Sequence, residues 1–133
     1  MSKWRSAKAF SAWLGLCPRN KISGRKVLDT RTCKVINRAT TLRLAAQSVG
    51  RTDTALGIFY RRKKAHLGPA KATTATARKL ACLVYHLLKY KEQYREPDPA
   101  SYQIKVQKTI LAKIQKQAAA LGYKLLPTAP VPA

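Results

Sequence analysis

Apolar residues recur at helical spacing along most of the chain, which predicts a mainly α protein, a small helical domain. The segment 73–91 has the densest apolar pattern, so we expect it to form the centre of the core. The last helical segment also carries an apolar stripe, which we expect to dock within the chain or on a partner helix. The pattern predicts helices over residues 5–14, 37–49, 53–67, 73–91 and, as a long C-terminal helix, 99–122.

Residues that favour helix ends stand at the borders of these segments. Asn37, Asp53 and Asp98 are predicted N-caps, because their side chains can accept from the free N–H groups of a first turn. Gly50 and the pair Gly68-Pro69 are predicted to end the second and third helices. Asp98 followed by Pro99 is a strong start signal for the last helix.

Residues 19–36 break the helical pattern. Lys21-Ile22 and Lys26-Val27-Leu28 flank Ser23-Gly24, which predicts either a short hairpin or an irregular loop, since so short an alternation does not decide between them. The Ser-Gly pair has two interpretations. It is a turn in which glycine supplies a positive φ, or it is a hydroxyl held among cations where it can meet a phosphate.

Composition divides the chain into one domain and an extension. We expect residues 1–91 to form the domain, residues 92–126 to form a polar linker and the long C-terminal helix, and residues 127–133 to form a disordered, proline-rich tail. A chain of 133 residues is long enough for one modest core.

The charge balance points to a polyanionic partner. The chain has 27 Lys and Arg against 5 Asp and Glu, a net charge of +22. Such self-repulsion destabilises a compact state unless a polyanion neutralises it, and nucleic acid is the first candidate. The run at 61–64 is either a solvated helix face or a set of phosphate contacts. The candidate DNA-binding residues are Lys21, Arg25, Lys26, Arg38, Arg43, Arg61, Arg62, Lys63 and Lys64.

Several kinds of site and location are not predicted. The five acids form no cluster that would hold two magnesium ions, so we expect no metal site and no cofactor in this chain. Three cysteines without a C-x-x-C pair argue against a disulfide framework or a zinc site and fit a reducing cytoplasm. The longest apolar run, 80–88, is too short to span a membrane.

Six short motifs resemble one family in order and spacing. One of them precedes the non-helical segment, namely Trp13-Leu14-Gly15-Leu16-Cys17-Pro18. Another lies within it, namely Lys21-Ile22-Ser23-Gly24-x-Lys26-Val27-Leu28. The others are Asn37-Arg38-Ala39, Leu42-Arg43-Leu44-Ala45-Ala46, Ala55-Leu56-Gly57-x-Phe59-Tyr60-Arg61-Arg62 and Thr74-Ala75-Thr76-Ala77-x-Lys79-Leu80-Ala81. Together they resemble the C-terminal domain of the insertion-sequence 110/116/902 transposases, relatives of the Piv and MooV DNA invertases.

The resemblance implies half of a two-part enzyme for DNA transposition. In the family an N-terminal RuvC-like domain supplies a DEDD carboxylate set for magnesium, and the C-terminal domain supplies a serine nucleophile. Members can also use a structured non-coding RNA to choose DNA targets. Carried onto this chain, the catalytic serine is Ser23, and Lys21, Arg25 and Lys26 are its phosphate contacts. Family members often have a second glycine at the position of Arg25.

The expected function follows from what this chain lacks. Without a DEDD set, we expect a truncated or separately encoded half that is inactive alone and acts with a DEDD partner. The alternative is a non-catalytic, basic nucleic-acid-binding module. The expected partners are DNA, a guide RNA, a separate DEDD half and a second copy of the chain, with no membrane contact. The expected location is the bacterial cytoplasm, on the nucleoid.

Overall fold

Helices dominate the chain, as the apolar pattern predicts. The computed structural model describes Met1 and the ranges 3–32 and 38–126. In that part of the chain lie α1 (Ala7–Trp13), β1 (Lys21–Ser23), β2 (Lys26–Asp29), α2 (Thr40–Val49), α3 (Ala55–Leu67), α4 (Pro69–Tyr90) and α5 (Pro99–Ala120). Of the two interpretations of residues 19–36, the short hairpin is the one present, with residues 33–36 outside the described ranges.

Helix α4 is the centre of the first compact unit, Met1–Pro97, because α1, α2 and α3 all pack against it. Alanines on its inner face, Ala77 and Ala81, are fully buried and let the neighbouring helices approach closely. Tyr85 is also buried, and its hydroxyl donates to the carbonyl oxygen of Trp4 at 2.9 Å. The prediction that residues 73–91 form the core is therefore confirmed. The apolar side chains packed with α4 come from α1 and its following turn and from α2, namely Phe10, Leu14, Leu16 and Ala46.

The start of α3 corrects one predicted cap. Thr54 is the N-cap, and its hydroxyl accepts from the N–H of Gly57 at 3.0 Å. Asp53, the predicted cap, instead pairs with Arg61 at 3.3 Å. Both residue types cap helices, so sequence alone could not separate two adjacent candidates.

The starts of α2 and α4 also differ from the prediction, and α1 begins at Ala7, two residues after its predicted start. Helix α2 begins at Thr40 with Ala39 at the N-cap and no side-chain cap, whereas the predicted cap, Asn37, lies outside the described residues. Helix α4 begins at Pro69, four residues before the predicted start at 73. Gly68, at φ +81°, ends α3. It also precedes α4, which begins at Pro69 because proline is well suited to the first position of a helix.

Gly50 follows α2, but not with the left-handed backbone that often ends a helix. Its φ is −59°, within the range of any residue. A Cβ at this position would lie 2.5 Å from Cδ1 of Tyr60, so glycine is needed for the close approach of the tyrosine ring. The contact joins the end of α2 to α3.

The second compact unit, Asp98–Ala133, contains α5. Asp98 caps it as predicted, accepting from the N–H groups of Ala100 at 3.3 Å and Ser101 at 2.9 Å. The helix ends at Ala120, two residues before the predicted end. It buries no residue, and its apolar stripe is exposed at Ile104, Ile110, Leu111 and Ile114. The predicted tail, 127–133, lies outside the described residues.

Candidate nucleic-acid interface

The candidate serine lies on a hairpin that is closed at its base by backbone pairing. Pro18 and Thr32 form an antiparallel bridge, and the N–H of Arg19 donates to the carbonyl oxygen of Arg31 at 3.0 Å. Beyond the base, β1 and β2 pair antiparallel, with Ser23 opposite Lys26. Ser23 is therefore the last residue before the hairpin turn.

The turn itself consists of two residues in the left-handed region. Gly24 has a φ of +53° and Arg25 a φ of +65°. Positive φ at both central positions is typical of a type I′ turn, whose twist matches that of paired strands. The turn interpretation of the Ser-Gly pair is thus confirmed, and phosphate contact stays a prediction. Arg25 occupies a position that glycine fills with less strain.

Strand alternation gathers a hydroxyl and two cations on one face of the hairpin. Ser23 and Lys26 are directly opposite each other, and Lys21 precedes Ser23 by two positions in the same strand. Side chains at such positions point to the same side, with Cβ atoms of opposite residues about 5 Å apart. Ile22 and Val27 pair on the other face. The register shift after Lys21 leaves one residue of β2 unpaired, which bends the hairpin locally.

The Ser23 side chain is open to a ligand. Ser23 is exposed, as are Lys21, Arg25 and Lys26. Within the described part of the chain its hydroxyl makes no hydrogen bond. The face can therefore receive a phosphate, with positive charge on two sides of the hydroxyl.

Asp29, the carboxylate of the hairpin, is paired with Arg31. Arg31 donates to Asp29 through its backbone N–H at 2.9 Å and through Nε at 3.1 Å. The hydrogen bonds from Arg31, side chain first, lower the pKa of the Asp29 carboxyl below its ordinary value of 3.8. This local pair reinforces the base of the hairpin, and the charge of Lys21, which is opposite Asp29 in the register, also lowers the pKa of this carboxyl.

Arg38 lies against the aromatic cluster of the first helix. Its guanidinium carbon is 4.8 Å from the centre of the Trp13 ring, and Trp13 in turn packs on Trp4 and Phe10. The contact joins two motifs that are more than twenty residues apart in the sequence. Arg38 is exposed, so stacking holds the ring side of the guanidinium while its edge faces solvent. Arg43, on α2, is half-buried.

The four cations at 61–64 differ in their surroundings. Arg61 is tied to the α2–α3 loop, where its guanidinium donates to the carbonyl oxygens of Thr52 at 2.7 Å and Gly50 at 3.3 Å. Arg62 and Lys64 are exposed. Lys63 is half-buried, with Nζ 5.7 Å from the centre of the Phe59 ring. Within the run, Arg62 and Lys64 are thus exposed and make none of these contacts.

Lys79 is a further cation beside the run at 61–64, although the sequence pattern did not indicate it as a candidate. Its Nζ lies 4.4 Å from the centre of the Phe59 ring, across the contact between α3 and α4. Partial burial and then the charge of Arg62 lower the pKa of Lys79. A pair of cations this close favours a bound anion. The available signal was the motif at 74–81, which contains Lys79 but does not indicate its partner.

The candidate residues form separate groups. Strands β1 and β2 contact each other and none of the described helices. Ser23 is therefore grouped with Lys21, Arg25 and Lys26, and no contact in the described ranges joins it to the run at 61–64.

The described residues contain neither a cluster of metal ligands nor a membrane-spanning helix. Among the described residues, His, Cys, Asp and Glu form no group of three that could hold a metal ion. None of the described helices combines the length and apolar character required to cross a membrane.

Comparison with known proteins gives one match. Residues 1–61 match the model of the family described as Transposase IS116/IS110/IS902. The matched range contains α1, the hairpin, α2 and part of α3, and it includes both Ser23 and Arg61. It supports the family resemblance and a role in transposition. The range ends before the motif at 74–81, whose resemblance stays a prediction. Searches among curated proteins and among solved structures found no match.

Proposed function

We propose that this chain is the serine-bearing C-terminal domain of a transposase, that it binds DNA, and that Ser23 forms a covalent link to a DNA strand. The observation that carries the proposal is the position of Ser23 beside a two-residue turn, sharing one hairpin face with Lys21 and Lys26. The family match over residues 1–61 supports the same assignment, because it includes this hairpin.

The proposed step is a phosphoryl transfer to serine. A bond forms between Ser23 Oγ and a backbone phosphorus, and the bond from that phosphorus to one strand oxygen breaks. The seryl proton passes to solvent or to a base of a partner, and the leaving oxygen takes a proton to become a hydroxyl. Lys21 and Lys26 stabilise the charge that develops on the phosphoryl oxygens. The reverse reaction rejoins the strand, as strand transfer requires.

Among the described residues no group of three His, Cys, Asp or Glu could hold a metal ion, and we propose that a DEDD domain supplies the carboxylates that the reaction uses. The proposed partners are a separate DEDD-domain half and a structured guide RNA, and α5 is a candidate surface for self-association. Binding to DNA would place the protein on the bacterial nucleoid, in the cytoplasm.

The test is detection of a covalent protein–DNA adduct. The chain is mixed with a purified DEDD-domain protein of the family, magnesium and an end-labelled DNA that carries a transposon end, and the products are separated under denaturing conditions. We expect a labelled protein band with the native chain and none with Ser23→Ala. An adduct that persists in Ser23→Ala contradicts the assignment of the serine. No adduct with the native chain contradicts the covalent step.

A second candidate function is non-catalytic binding of nucleic acid. The observation that favours it is the cation surface of α3 and α4, where Lys79 lies over the Phe59 ring and the nearby charge of Arg62 contributes to lowering the pKa of Lys79. This function predicts binding that falls steeply with salt and tolerates many sequences. It also predicts that Ser23→Ala leaves the affinity unchanged, whereas neutralising the run at 61–64 weakens it.

A further inference from the structure

A groove runs between the base of the hairpin and the first half of α4. Its volume is about 570 Å³, within the range of about 300–1,000 Å³ that is typical of ligand sites. The apolar part of its wall includes Leu16, Pro18 and Ala75. Three cations, Arg31, Lys71 and Arg78, also line it, and no carboxylate does.

The three cations are not equally available. Arg31 is paired with Asp29, with Nε 3.1 Å from a carboxylate oxygen. Lys71 and Arg78 pair with no carboxylate in the described part of the chain. They are seven positions apart on α4, so they lie on one face, two turns or about 10 Å from each other along the axis. The groove thus combines an apolar wall with two uncompensated charges in a row.

This combination fits the backbone of a DNA strand better than it fits a free anion. The sugar edges of the strand are apolar enough to pack on Leu16, Pro18 and Ala75, and its phosphates lie in a row that two cations on one helix face can follow. A single phosphate would use one cation and leave the apolar wall in water.

The groove also lies at a definite distance from the candidate serine. Pro18, in the groove wall, belongs to the bridge that closes the hairpin, and Ser23 lies five residues further along. Five residues of extended chain span at most about 17 Å, which a short segment of one DNA strand can cover. A strand in the groove can therefore reach the Ser23 face along the hairpin.

We propose that this groove binds the backbone of a DNA strand through Lys71 and Arg78. The inference rests on the proposed function and deepens it. The groove extends the DNA contact to α4, which lies beyond the residues of the family match.

The charge test compares two variants with equal net charge. Lys71→Gln with Arg78→Gln removes the groove cations, and Lys108→Gln with Lys116→Gln removes two exposed cations of α5. Each lowers the net charge from +22 to +20. Binding to labelled single-stranded and duplex 30-nucleotide DNA is measured over a salt series. We expect the groove variant to lower the slope of log K against log salt by about 1.4 for the single strand and about 1.8 for the duplex, and the control to keep the native slope.

The shape test uses Ala75→Phe, which places a ring in the groove without changing charge. We expect a loss of affinity of at least fivefold with the native salt slope and an unchanged melting temperature. If the groove variant and Ala75→Phe both bind DNA as well as the α5 control does, the groove inference is overturned and the proposed function stays intact. A native chain that binds no DNA overturns the proposed function itself. A defect seen only with RNA of the same sequence overturns the choice of DNA.

Discussion

The carbonyl oxygen of Thr52 accepts a hydrogen bond from the Arg61 guanidinium at 2.7 Å, and the same oxygen faces Gly57 on the adjacent turn of α3. A side chain at Gly57 would collide with it, because the position of a Cβ would overlap the Thr52 carbonyl. Two residues of one motif therefore hold the α2–α3 loop, one by donating a hydrogen bond and one by having no side chain.

Removing the Arg61 side chain should destabilise the fold, whereas removing the Arg62 side chain should not. We expect Arg61→Ala to lower the free energy of unfolding by about 1–2 kcal/mol, since two hydrogen bonds to loop carbonyls are lost. Arg62→Ala, with the same change in charge, should leave it within about 0.5 kcal/mol of the native value. Urea unfolding followed by circular dichroism measures both. Equal stability of the two variants would show that Arg61 has no structural role.

Gly57→Ala should be more harmful than an ordinary glycine substitution in a helix. Alanine normally favours a helix, but here the loop would have to move away from α3, and overpacking of this kind typically costs about 1–3 kcal/mol. The melting temperature should fall accordingly. Ala65→Gly at an exposed position of the same helix is the matched control and should cost only about 1 kcal/mol. A Gly57→Ala variant as stable as the native chain would contradict the packing described here.

Replacing Arg25 by glycine should order the hairpin and weaken binding of DNA. Its φ of +65° is unfavourable for residues with a side chain by about 1 kcal/mol, and glycine removes that strain at some cost in the entropy of the unfolded chain. We expect slower amide exchange in β1 and β2 together with lower affinity, because one cation is lost. Lys26→Gly removes the same charge from a strand position and should speed exchange instead. Faster exchange in Arg25→Gly would contradict the assignment of the turn.

The hairpin base should loosen in acid. The pKa of Asp29 is lowered from its ordinary value of 3.8 by Arg31, so this pair contributes stability above that value and loses it as the pH falls through the lower folded-state pKa. Chemical shifts of residues 19–31 should therefore change below pH 3.8, in a titration from pH 6 to pH 2. Asp29→Asn should abolish the acid transition in this segment. A titration of these shifts centred above 3.8 would contradict the ion pair.

The helices were predictable because their signals are local. Periodic apolar residues predicted α4 as the core, and Asp98 with Pro99 predicted the start of α5. Two boundary errors also have local causes. Asp53 and Thr54 are both good caps, and Gly68-Pro69, which ends α3 as predicted, also begins α4 four residues before its predicted start.

The candidate site was predictable only in part. The position of Ser23 before a turn follows from its glycine neighbour, and its pairing with Lys26 needs only a two-residue loop. The roles of Lys79 and Arg78 could not be predicted, because they depend on Phe59 in another helix and on the hairpin base. The structural role of Arg61 likewise depends on a carbonyl nine residues away.

The closed base of the hairpin has an evolutionary consequence. Pro18 and Thr32 are bridged, so the two ends of the intervening segment stand about 5 Å apart whatever lies between them. Because β1 and β2 contact no described helix, insertions and deletions within 19–31 alter the reach of the tip without requiring compensating changes in the core. Selection can therefore adjust the serine-bearing tip, β1 and β2, without repacking the helical core, while the hairpin base stays beside α4.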